Sequence, residues 1–189
     1  MSIRARVEDA HVLYAIGRPE AALLCLLTAA AATSRRRRPH GMLSERHEGK
    51  QMGDGEAFEL FLEDEMPKMC RVKNYNLKYR DQMIRMEHLF WKWLRCELSH
   101  AASLPHDIRF DPDDRPGAIK VSIEDDGTVA LSHGWLDALS AVIVGAPENG
   151  DQFGEPPSAP LPIHLPRVGL TVGASAPTAL DGNRPGEQA

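Results

Sequence analysis

The residues Asp81 to His100 set the strongest constraint on what this chain can fold into. Apolar side chains recur at Met83, Met86, Phe90, Trp93, Leu94 and Leu98, the three-and-four spacing that turns one face of a helix toward a core. The spacing predicts one helix over the whole stretch, with Arg95 and His100 in its last turns. Leu104-Pro105 then takes the chain out of helix, because a residue before proline avoids the helical region.

Helices are expected on the N-terminal side as well. Val7, Ala10, Leu13 and Tyr14 follow a helical period, and Gly17-Arg18-Pro19 interrupts it. Pro19 suits a first helical position and Glu20 complements the positive end of the helix dipole, so a second helix begins there. From Ala21 to Ala32 it is apolar nearly all round and should be the most buried helix. The run Arg35 to Arg38 and then Pro39 end it. His40 to Gly53 reads as a loop. Asp54 is placed to cap a helix over about 55 to 65, which Pro67 closes. The alternation of Val72, Tyr75, Leu77 and Tyr79 hints at a short extended piece.

After His106 the period changes from that of a helix to that of a strand. Residues 107 to 110 form a candidate strand, and Ile119, Val121 and Ile123 alternate with polar residues up to Asp126-Gly127, beyond which come Val129 and Leu131. An Asp-Gly pair between alternating runs is a strong hairpin signal. Ser132 is placed to cap a last helix to about Val144. The reading is therefore a mainly α protein: an antiparallel helical bundle with a small C-terminal β-hairpin or sheet and a terminal helix. With 189 residues, 42% of them hydrophobic, the chain can bury one good core. One domain over 1–145, with its hairpin at about 107–132, is expected. Residues 146–189 are dense in proline and glycine and poor in large apolar side chains, and read as a disordered or extended tail in which Val168 to Val172 is a candidate strand.

The net charge of −5 speaks weakly against nonspecific coating of nucleic acid, yet the charge is unevenly spread. Met66 to Arg95 carries eight cations against Asp81 and Glu87, and acidic blocks lie on either side. The Arg35 to Arg38 run reads as a solvated helix end, or as a phosphate patch if it shares a side with that cluster. Cys25, Cys70 and Cys96 have no paired spacing, which fits a reduced, cytoplasmic setting. The apolar run from Ala21 is too short to span a bilayer, and no membrane association is expected. Dinucleotide and phosphate-loop glycine motifs are missing, Arg115 and Pro116 spoil the calcium-like Asp111 to Gly117, and the histidines lack metal-ligand spacing, so neither a metal nor a cofactor is expected. Cys96 reads as a core cysteine rather than an activated thiol.

Arg95 and His100 offer a cation and a base. On an ideal helix positions five apart point roughly 140° away from each other. Joint action requires a distorted helix end or a second copy across a two-fold axis.

The order of the Gly17-Arg18-Pro19-Glu20 helix, the acidic helix of Gly55-Glu56-Ala57-Phe58-Glu59-Leu60-Phe61-Leu62, and then Glu87-His88-Leu89-Phe90-Trp91-Lys92-Trp93-Leu94-Arg95-Cys96-Glu97-Leu98-Ser99-His100 resembles the HEPN superfamily over about residues 8 to 110. That family is marked by Arg-x4-6-His near the end of a late helix. The resemblance implies a homodimeric, metal-independent endoribonuclease of toxin–antitoxin, defence or RNA-processing type, with Arg95 and His100 as the catalytic pair. Cys96 departs from the polar residue that commonly follows the arginine in active members. Such chemistry needs a base for the 2′-hydroxyl proton and a cation for the phosphoryl oxygens. Arg85 and Lys92 would hold the RNA backbone and Trp91 would stack on a base, against a competing place for Trp91 in the core or a dimer interface. Two other readings stay open. One is an inactive interaction module with a protein partner, and the other a small-ligand binding protein lined by Trp93, Phe110 and Trp135.

Overall fold

A computed structural model describes residues 2–71, 75–111 and 117–154 of the chain. The expected strand at Val168 to Val172, and the Asp113 and Asp114 pair of the calcium-like stretch, lie outside the described residues. The described protein is mainly helical with a minor β component.

Helices α1 (Ile3–Ala15) and α2 (Pro19–Arg37) open the chain and pack extensively on each other. Ser2 caps α1 by accepting a hydrogen bond from the Ala5 amide at 3.1 Å, and Ile3, Val7 and Ala10 form its buried stripe. α2 starts at Pro19 with Glu20 in its first turn and ends among arginines, as its sequence requires. It also contacts the third and sixth helices and the π-helical segment, and Leu23, Leu26, Leu27, Ala29 and Ala30 are buried in it.

α3 (Asp54–Cys70) runs through Pro67 instead of stopping there, and closes at Arg71 with a left-handed φ of 57°. Proline in the last turn forfeits one amide donor but does not prevent the helix from finishing. Phe58, Phe61, Leu62 and Met66 of α3 are fully buried against the same core as α2. At about 1.5–3 kcal/mol for each large apolar side chain, this shared core is the main stabilising element of the helical part.

The segment expected to form one helix from Asp81 is divided. β1 (Asn76–Tyr79) and β2 (Gln82–Arg85) form an antiparallel hairpin with Tyr79 paired to Gln82. Its two-residue turn, Arg80-Asp81, has φ of 47° and 61°, the left-handed pair that suits the strand twist. Met83, which the helical period counted as a core position, is 70% exposed. Helix begins only at α4 (Met86–His88), continues as a π-helical stretch (Leu89–Arg95) and returns to α-helix in α5 (Cys96–His100). The amide of Cys96 bonds to the carbonyl of Trp91, five residues back. Such wide turns recur at functional sites.

β3 (Ile108–Asp111), β4 (Val121–Ile123) and β5 (Val129–Ser132) form a second sheet in the order β3-β5-β4. β4 and β5 are antiparallel about the Asp126-Gly127 turn, in which Gly127 has a φ of 87°. β3 runs parallel to β5 on its other side. α6 (Gly134–Val144) follows, but Ser132 is not its cap: its hydroxyl donates to the Ala118 carbonyl and accepts from the Lys120 amide at 2.8 Å.

The ordered domain extends past residue 145. A 3-10 turn (Pro147–Asn149) packs on α2 and α7 (Gly150–Phe153) on α1, and Asn149 is fully buried. Its amide nitrogen donates to Thr33 Oγ1 at 2.9 Å and to the Ile143 carbonyl at 2.8 Å. One polar side chain satisfied by Thr33 of α2 and by the last turn of α6 holds residues 147–154 against the helices. Among the described residues no helix is long and apolar enough to cross a membrane.

Candidate functional site

The tetra-arginine run is committed to internal ion pairs. Arg35 pairs with Asp54 at 2.6 Å, Arg36 with Asp151 at 2.6 Å, Arg38 with Asp64 at 3.1 Å and Glu45 at 3.1 Å, and Arg37 with Glu65 at 2.8 Å and also with Glu148. It does not form a free phosphate patch. Much of the basic cluster behaves likewise: Lys68 pairs with Glu65, Lys78 with Asp81, Arg80 with Asp107, and Arg85 with Glu63.

The chain from 42 to 52 is an ordered loop whose two arms join by a bridge between Leu43 and Gln51 and a hydrogen bond from the Met52 amide to the Met42 carbonyl. Glu56 of α3 fastens it, accepting from Ser44 Oγ at 2.9 Å, the Glu45 amide at 2.8 Å and the Arg46 amide at 3.0 Å. Burial opposes ionisation of Glu56, but those hydrogen bonds outweigh it and hold its carboxyl below the usual range.

Between this loop, the start of α3 and the π-helical stretch opens a pocket of about 400 Å³, with His47 and Lys50 on the loop side, Glu59 on α3, and His88, Trp91 and Lys92 opposite. Glu59 is buried, and His88 Nδ1 lies 2.7 Å from its carboxylate. A carboxylate only accepts, so Nδ1 carries the proton and Nε2 is the ring atom left for a ligand. Arg46 also bonds to Glu59, and both Arg46 and Arg85 bridge on to Glu63, at 3.1 and 2.9 Å. His47, Lys50 and Lys92 are exposed. Among the described residues no group of three or more histidine, cysteine and acidic side chains is arranged to hold a metal ion.

Of the residues singled out from sequence, Lys92 and Trp91 line this pocket. Trp91 is half-buried between Phe58, at 5.2 Å between ring centroids, and the Arg95 guanidinium, 4.5 Å above the ring. Arg95 therefore stands behind the pocket wall, and its buried Nε has no hydrogen-bond partner. His100 is exposed in the last turn of α5, and among the described residues no hydrogen bond or ion pair joins it to Arg95. Arg85 reaches the site only through Glu59 and Glu63.

The lining imagined for a small-ligand binder is dispersed. Trp135 is core between Tyr75 and Phe90, Trp93 meets Tyr79 and Arg80, and Phe110 meets His133.

His47, Lys50, Arg46 and Glu59 were not among the site residues expected from sequence, and His88 entered there only as part of the Glu87 to His100 stretch. One signal was present: Glu59 stands among Ala57, Phe58, Leu60, Phe61 and Leu62, where a carboxylate needs partners from elsewhere in the fold. No curated protein and no solved structure gives a significant match to the chain. A family model, that of Rv1289, matches residues 2–156, and the protein therefore belongs to the Rv1289 family.

Proposed function

We propose that this protein binds RNA and cleaves it without a metal ion, as a HEPN-like antiparallel bundle, with the His88 and Glu59 pair as its acid–base centre. The observation that carries the reading is the 2.7 Å contact between His88 and Glu59 at a pocket rimmed by exposed cations. His88 Nε2 takes the proton of a 2′-hydroxyl, whose oxygen attacks the adjacent phosphorus. The 5′-oxygen leaves with a proton supplied by His47 or water, giving a cyclic phosphate and a 5′-hydroxyl end. Lys50 and Lys92 hold the phosphate charge, and Arg95 adds to the cationic rim behind Trp91. A second form of the reading pairs Arg95 of one protomer with His100 of a second copy in a homodimer. The exposure of His100 favours it.

The test is cleavage of a fluorescent single-stranded RNA in EDTA. His88→Ala and Glu59→Gln should each lower the rate, His88→Ala by about 10²-fold or more, while His100→Ala changes little. Loss in Arg95→Ala and His100→Ala with His88→Ala active would select the two-fold form. An unmodified protein that neither binds nor cuts RNA ends both. The exposed Met42 and Leu43 on the pocket loop would then favour a protein partner.

A further inference from the structure

Glu59 and Glu63 stand one turn apart on α3, and two guanidinium groups close over them. Arg46 Nη1 donates to Glu59 Oε2, and Arg46 Nη2 donates to Glu63 at 3.1 Å. Arg85 Nη1 donates to Glu63 at 2.9 Å, and its Nη2 lies 3.6 Å from Glu59 Oε2. Two carboxylates and two guanidiniums balance. His88 joins this quartet at the other oxygen of Glu59, with Nδ1 2.7 Å from Oε1. The mechanism proposed above uses neither arginine.

A carboxylate beside an imidazole stabilises the imidazolium, the more so when it is buried and poorly screened by water, as Glu59 is. An imidazolium has no lone pair with which to take the proton of a 2′-hydroxyl. A cation on the same carboxylate opposes that effect. Arg46 and Arg85 both bear on Glu59, so its charge is largely offset where His88 meets it. The other charged groups at the ring act in the same sense or are occupied. Lys50 on the loop and Lys92 on the π-helical stretch are cations, as is His47 when protonated, and Glu56 is committed to the loop amides and Ser44. Glu87, the preceding residue, is pushed toward its neutral form by burial, against its own backbone hydrogen bond and Arg85.

We infer that Arg46 and Arg85 are positioning residues that act through Glu59: by balancing its charge, they let it orient His88 through Nδ1–H while Nε2 stays free to accept a proton. Arg85, expected from sequence to hold the RNA backbone, serves the site from behind Glu59 and Glu63 instead. The side chain of Arg46 has this role apart from the hold on the 42–52 loop, because Glu56 fastens that loop through Ser44 Oγ and the amides of Glu45 and Arg46. The inference rests on the reading of His88 as the base.

The full-length protein, labelled with 15N in its imidazoles and titrated by NMR, tests it, with the His88 resonances assigned by their loss in His88→Ala. In Arg46→Gln the midpoint of His88 protonation should move to higher pH by about one unit. The pH profile of RNA cleavage should move with it, so that the rate on the acidic side falls about tenfold and recovers at alkaline pH. Arg85→Gln should shift both in the same direction, and carries the test alone if Arg46→Gln does not fold. Arg46→Lys, which keeps the charge but not the fork, should leave the midpoint near that of the unmodified protein. A merely structural role would lower cleavage at every pH and leave the midpoint in place. A midpoint that stays, or moves to lower pH, in the glutamine variants overturns the inference, and the RNA reading is then judged by whether the unmodified protein cuts. If the midpoint rises as expected but RNA is neither bound nor cut, the charge balance stands and the RNA reading falls.

Discussion

Trp91 lies so close to Gly55 that a Cβ added to the glycine would come within 2.7 Å of the indole Nε1. The first turn of α3 and the π-helical stretch approach this closely because position 55 has no side chain. With Phe58 and the Arg95 guanidinium against the same indole, Trp91 is fixed as the wall between core and pocket.

Gly55→Ala should therefore displace Trp91. The expected cost is about 1–3 kcal/mol, as for overpacking of a filled site, with a changed tryptophan emission. Chemical denaturation monitored by fluorescence measures both. An unchanged midpoint together with an unchanged spectrum would show that the two elements separate freely.

The pH dependence of stability should have two limbs. Asp107 is held below the usual carboxylate range by hydrogen bonds from Arg80 and, after the opposing effect of burial, from Tyr79. Glu148 is lowered as well, burial being outweighed by Arg37. For these groups the folded protein binds protons less readily than the unfolded chain, so the stability they contribute is present above the ordinary carboxylate range and is lost as pH falls through their lowered values. Glu87 has the opposite sign. Raised in the fold by burial, it contributes stability at acidic pH that is lost as pH climbs from the ordinary glutamate value toward its raised one. Thermal unfolding across a pH series should show a maximum between the limbs, and Glu87→Gln should flatten the alkaline limb alone.

Ending the chain after Gly145 should destabilise the whole domain. The truncation removes Asn149 from the buried Thr33 hydroxyl and Ile143 carbonyl, and removes Asp151 and Glu148 from Arg36 and Arg37. Asn149→Ala alone should cost about 1–3 kcal/mol, because it leaves buried polar groups without partners. For a domain of this size each kcal/mol lowers Tm by roughly 2–4 °C. Calorimetry of the two variants checks the order, with the truncation the larger loss.

How much of this was legible depends on the distance over which each feature is specified. The bounds of α2 could be read from Pro19, Glu20 and the terminal arginines, and the β4–β5 hairpin from Asp126-Gly127, because each signal acts within a few residues of itself. The start of the central helix could not. Met83 stands three residues from Met86 in either conformation, and the left-handed Arg80-Asp81 turn gives no glycine to announce it. The parallel pairing of β3 with β5 was hidden for another reason: a hairpin signal names adjacent strands, whereas a parallel neighbour is chosen by the path of the chain between them.

The site divides in the same way. Lys92 and Trp91 could be named because they stand in the same short stretch as Arg95, but Glu59, Arg46 and His47 come from a different helix and a loop.

The sequence by itself determined the helical segments, the Asp-Gly hairpin and the presence of many cations, since propensity, period and turn chemistry act within about four residues. Only the tertiary structure decided what those cations do. Arg36 meets Asp151 and Arg37 meets Glu148 across more than a hundred residues, and His88 meets Glu59 across 29. A charge carries no label for its partner, so which cations are neutralised and which stand open at a pocket follows from the packing that brings distant segments into contact.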